Sequence, residues 1–156
     1  IREALRQDWR GERRYSVTGA LVSSLVRDLA SLPSPALAEV ERILATSLPL
    51  THETISFRSF KSSLSMPPFA SAELHVMKAD PERGQLVLEV GNESVRESDL
   101  HLDAYGPVVA VNVSPDVPPE GVMSSTVQLG SVRVSFHVTA ISETLRSVSL
   151  HWKPQS

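Results

Sequence analysis

The chain has 156 residues, 41% of them hydrophobic and 21% charged, and a net charge of -3 from 15 basic and 18 acidic side chains. That is enough chain to bury one core without metal or disulfide support, and no block of one sign points to nucleic acid or an anionic membrane as partner. Cysteine is absent, which excludes disulfides, a thiolate nucleophile and a Cys-based zinc site, and leans towards a reducing, intracellular compartment.

In chain order, residues 1–14 read as a short charged helix or lead-in interrupted by Gly11. The first residue is Ile1, so the chain reads as a processed or trimmed piece of a longer protein. No apolar run approaches the roughly 18 residues of a membrane span, and no signal peptide is recognisable. From Val17 the apolar residues Leu21, Val22, Leu25, Val26, Leu29 and Leu32 recur at helical spacing, which predicts an amphipathic helix. Pro33 ends it, because its ring removes an N–H and restricts the residue before it.

Ser34 as N-cap and Pro35 in the first turn predict a second helix with an apolar stripe of Leu37, Val40, Ile43, Leu44 and Leu48. A join of two or three residues predicts an antiparallel helical hairpin.

Beyond Pro49 the period changes from 3.6 to 2. Ile55, Phe57 and Ser59 alternate with polar neighbours, as do Ala72, Leu74 and Val76, then Leu86, Leu88 and Val90. Residues 61–70 read as irregular, since Pro67-Pro68 cannot lie in a central strand. Asp80-Pro81-Glu82-Arg83-Gly84 and Gly91-Asn92 read as turns. Leu100, Leu102 and Ala104 suggest a further strand, followed by Val109, Val111 and Val113. Residues 115–121 form a proline-rich loop.

The last third carries the strongest pattern. With Gly130-Ser131 as a hairpin loop, Leu129 pairs with Val132, Val127 with Val134 and Met123 with Val138. Gln128 pairs with Arg133, Thr126 with Ser135 and Ser124 with His137 on the other face. A slip of one residue would exchange the two faces throughout. Val148, Leu150 and Trp152 then point inward, with Ser147, Ser149 and His151 outward. In this reading His137 faces Ser149, and His151 is its diagonal neighbour. The expected architecture is α+β: a helical lead-in and antiparallel hairpin over residues 1–49, then an antiparallel β-sandwich or half-open barrel of about eight strands over residues 50–156.

No motif assigns a catalytic, cofactor or metal site. There is no Gly-x-Ser-x-Gly elbow and no glycine-rich phosphate loop. On a strand, His101, Asp103 and Tyr105 would share a face, as a base oriented by an acid or two metal ligands require; the alternative is a solvated strand face. His137 and His151 could share a metal, or belong to an exterior rich in hydroxyls together with Arg133. Met66 and Phe69 place apolar groups on the Pro67-Pro68 loop, either for a partner or folded back on the core. Arg13-Arg14-Tyr15-Ser16-Val17 resembles a site for basophilic kinases, with Ser16 as phosphosite or as a plain N-cap. Asn92-Glu93-Ser94 and Asn112-Val113-Ser114 match the glycosylation acceptor pattern, which recurs by chance.

These readings converge on a non-enzymatic protein–protein interaction module, a domain of a larger protein. It would bind a protein partner, or its own kind, through a sheet face, an edge strand or the proline loops. Met66, Phe69, Arg133, His137 and His151 are the candidate contact residues. Two alternatives stand beside it: a self-assembling coat-like or shell-like subunit, and a small hydrolase or metal-binding protein using His101 and Asp103.

Overall fold

The computed structural model describes residues 17–92, 94–114 and 121–153. Ser16 and the proline loop at 115–120 lie outside the described residues. Helix α1 occupies residues 17–30 and α2 Leu37–Leu44. Eight strands follow: β1 Leu50–Glu53, β2 Phe57–Met66, β3 Phe69–Met77, β4 Gly84–Val90, β5 Val108–Ser114, β6 Val122–Leu129, β7 Val132–Thr139 and β8 Leu145–Trp152. Between β4 and β5 run a single helical turn, α3 (Glu97–Leu100), and a 3-10 turn at Leu102–Tyr105.

All eight strands belong to one antiparallel, open sheet in the order β1-β2-β3-β4-β8-β7-β6-β5. Two four-stranded meanders are thus joined where β4 pairs with β8. The segment from Gly91 to Pro107 crosses to the far edge and puts Val95, Leu100 and Tyr105 into the core. Tyr105 packs on Phe136 with ring centroids 5.0 Å apart.

One face of the sheet carries the core. Leu74, Leu86, Leu88, Val134, Phe136, Val148 and Leu150 are fully buried there, under Val22, Val26 and Leu29 of α1 and Val40 and Leu44 of α2. Each such side chain contributes about 1.5–3 kcal/mol of transfer free energy, so the sheet and both helices share one stabilising unit. The antiparallel helical hairpin expected over residues 1–49 is therefore not supported: α1 and α2 each turn their apolar stripe into the core of the sheet. The join between them is tied down from the sheet, because the Trp152 indole donates to the Leu32 carbonyl at 3.0 Å. The second helix begins at Leu37, after Ala36, rather than at the Ser34 cap. Pro35 instead lies against Gly84, where a side-chain carbon would come within 2.8 Å of the proline ring.

The β6–β7 register is the one predicted, from Leu129↔Val132 to Ser124↔His137. Three other expectations need correction. Residues 61–66 belong to β2, because Pro67 and Pro68 occupy the turn to β3 and remove no ladder N–H from either strand. His137 lies opposite Ser147, and His151 opposite Arg133, two residues from the expected register, a displacement that keeps every side chain on its face; the ladder is regular from Val132 to His137 and shifts only between His137 and Val138. The run at 100–104 is not a strand. The Asp99 carboxylate accepts the Arg96 N–H at 3.0 Å and closes a helical turn, which His101 ends at φ 49. Helix α1 holds this turn closely: a Cβ on Gly19 would lie 2.1 Å from the Asp99 carbonyl oxygen.

Candidate functional site

The other face of the sheet carries no helix in the described residues, and strand alternation loads it with polar side chains. Pairing the registers strand by strand gives continuous cross-sheet rows. The first runs Ser59, His75, Gln85, His151, Arg133, Gln128. The second runs Lys61, Glu73, Val87, Ser149, Ser135, Thr126, Ala110. The third runs Ser63, Ser71, Glu89, Ser147, His137, Ser124, Asn112. Neighbours in a row are about 5 Å apart, close enough for direct hydrogen bonds.

Many of those bonds form. His137 shares one with Ser124 Oγ through Nδ1 at 2.6 Å and one with Ser149 Oγ through Nε2 at 2.9 Å. Thr126 and Ser135 hydroxyls are 2.7 Å apart. Gln85 Nε2 and His151 Nε2 are 3.2 Å apart. Burial, and then the nearby His151, hold the His137 imidazole below its ordinary pKa. Burial, and then Arg133, do the same for His151. Both rings are thus neutral hydrogen-bonding groups near neutral pH, not cations.

A trough of about 700 Å³ lies along the first row. Its lining draws on every strand from β2 (Phe57) to β5 (Ala110), with Arg83, Arg133, Lys153, His75 and His151 as basic groups and, among the described residues, no aspartate or glutamate. Two of the three full cations are already engaged by carboxylates outside the lining: Lys153 with Glu82 and Arg83 with Asp80. Arg133 makes no ion pair among the described residues; its Nε donates to the Gln128 side-chain oxygen at 3.4 Å. Phe57 and Met77 add apolar wall. A second hollow, about 850 Å³, lies along the third row beside Ser124, His137 and Ser147.

One constellation on this face resembles a hydrolytic triad. Ser59 Oγ lies 2.8 Å from His75 Nδ1, and His75 Nε2 lies 2.6 Å from Glu73 Oε1. Nucleophilic use requires a reachable hydroxyl and donors for an oxyanion. Ser59 is only 4% exposed and does not line the trough. The geometry therefore serves to tie β2 to β3. Sequence spacing could not show it, since Ser59 and His75 are 16 residues apart and meet only through the strand register.

Arg133 and His151 sit opposite one another in the trough, and His137 lies in the neighbouring hollow. They share a face, as the alternation predicts, but the two histidines are not diagonal neighbours. Phe69 is a core residue, 2% exposed, and Met66 is half-buried against it, so Phe69 has no surface to offer a partner. The prolines turn this loop back over α1, beside Leu21 and Leu25. His101 and Asp103 are exposed on helical turns, while Tyr105 is buried under the Arg27 guanidinium. The three do not form a shared face. Among the described residues, no group of three His, Cys, Asp or Glu side chains is placed to hold a metal ion, and no helix is long and apolar enough to cross a membrane. Gln85 and Phe57 are trough residues that sequence reasoning missed, because their contribution depends on which strands become neighbours. No protein-family model, curated protein or solved structure matches the chain.

Proposed function

We propose that this chain is a non-enzymatic interaction module that receives an acidic segment of a protein partner in the trough, with Arg133 as its anchor. The observation that carries the reading is the charge of the lining, which among the described residues holds three cations, two imidazoles and no carboxylate. A guanidinium without an acidic neighbour is matched to a bidentate carboxylate. The neutral His151 and Gln85 beside it offer further hydrogen bonds, and Phe57 and Met77 suit an apolar flank. The participation of both β2 and β5 in one hollow supports reading the sheet as a half-open barrel whose polar side is concave.

The test is a titration with a fluorescent peptide alternating glutamate and leucine, set against its glutamine counterpart. Binding should depend on glutamate and weaken with salt. Arg133→Gln should weaken it about 10- to 100-fold, the loss of a charge-assisted hydrogen bond of about 1.5–3 kcal/mol. Arg42→Gln, on α2 and paired to Glu39, should leave it unchanged. Equal binding of both peptides, or an indifferent Arg133→Gln, would sink the proposal.

A further inference from the structure

The two edges of the sheet are built differently. Edge β1 has four residues, a register shift between Leu50 and His52, and a terminal Glu53 bridged to Arg58 and Lys78. Shortness, irregularity and charge are the usual protection of an edge against pairing with another chain. Edge β5 has seven residues, Val-Val-Ala-Val-Asn-Val-Ser, none of them charged. Among the described residues it pairs with β6 on one side alone, which leaves a row of backbone donors and acceptors on the other.

Its side chains add to the anomaly. Val108, Val109, Val111 and Val113 are 44%, 55%, 62% and 56% exposed. Register places Val111 opposite Ser125, and Ser125 opposite Phe136, so Val111 and Val113 point to the helix-covered side. The helices and the 3-10 turn do not extend far enough to cover them. The result is an apolar stripe beside an unpaired backbone edge.

We infer that β5 is a self-association edge, pairing antiparallel with β5 of a second copy across a two-fold axis near Val111. Three features select a second copy over another occupant. A two-fold contact sets a strand against its own reverse, so a charge at its centre would meet its like and one elsewhere would need an opposite charge across the axis; β5 carries none. Antiparallel pairing keeps directly opposite residues on one face. With Val111 against its own copy, Val109 meets Val113 and the valines of both copies form a single stripe, the self-complementarity an isologous contact requires. Pro107 and Pro115 stand four residues either side of Val111 in the sequence, and proline, lacking an N–H, limits pairing to the segment between them. The register shift between Val108 and Ala110 puts Val109 at the irregular end of this edge, so its pair with Val113 bounds the ladder.

Area sets the expected strength. A seven-residue strand is about 24 Å long, and pairing two of them covers on the order of 400 Å² per copy, half of the roughly 800 Å² per partner in a standard interface. The dimer should be reversible and concentration-dependent. This inference does not depend on Arg133 or on the trough, and the two can fail separately.

Sedimentation velocity on the whole chain, from low to high micromolar concentration, should show mass rising from one chain to two and no further. Hydrogen exchange of the β5 amides should slow over the same range. Val111→Lys and Val113→Lys, both at exposed positions, should keep the far-ultraviolet spectrum and remain monomeric throughout, while Ile55→Lys, at a residue 96% exposed outside both edges, should dimerise as before. A monomer at every concentration overturns the inference. So do growth beyond two copies, dimers that survive both lysine substitutions, and β5 amides already protected in the monomer, which would mean that another part of the chain covers this edge.

Discussion

His137 sits between two serine hydroxyls on a face that is open elsewhere, and this position gives the fold a defined response to acid. Its pKa, and that of His151, lie below the ordinary 6.5 because both rings are partly withdrawn from water. As pH falls through about 6.5, the unfolded chain binds protons at these rings before the folded chain does. Stability from this source is therefore complete above about 6.5 and declines as pH drops towards the depressed folded values. The melting temperature should fall between about pH 7.5 and about pH 5.5, before most carboxylates titrate. His137→Gln should flatten that fall, since the amide can still bond Ser124 or Ser149 without gaining charge. A slope identical to wild type would remove His137 as its source. The polar character of this residue was legible from alternation alone. Its neutrality was not, because burial and the approach of His151 are products of packing.

At the scale of elements, the contact between α1 and α3 shows how one position limits the sequence. Gly19 lies on α1 where the Asp99 carbonyl approaches too closely for any side chain, which lets the crossing segment press Leu100 and Tyr105 into the core. Gly19→Ala gains helix propensity but must push backbone away. The net effect should be a loss of about 1–3 kcal/mol, the usual range for overpacking, measured by urea denaturation; a stabilised protein would show that this contact is loose. The strand expected at 100–104 fails for a related reason. Leu100 and Leu102 do face apolar surroundings, but they do so on successive helical turns, and two or three alternating residues cannot distinguish that from a strand. Strand β7 alternates over all eight of its residues, and that run is long enough for the same rule to succeed there.

For the whole molecule, the sheet and both helices share one core, from which a dependence of the sheet on the helices is expected. The segment 50–156, expressed without α1 and α2, should expose Leu74, Leu86, Leu88 and Leu150, bind a hydrophobic dye and lose its near-ultraviolet signal; a cooperatively melting, dye-free fragment would instead establish it as an independent domain. The sequence by itself determined the α+β class, the two amphipathic helices, the face-by-face sorting of the last three strands and the β6–β7 register. Each of these rests on local periodicity, which every side chain in the segment repeats. Tertiary structure alone decided that the eight strands join as one open sheet, that Phe69 is core while Val111 is not, and that Arg133 lacks an acidic neighbour among the described residues. Those outcomes depend on which distant segments become adjacent, and no spacing along the chain encodes that. The trough and the bare edge β5 both arise at this level: one face of the sheet carries no helix in the described residues, and the helices on the other stop short of its last strand.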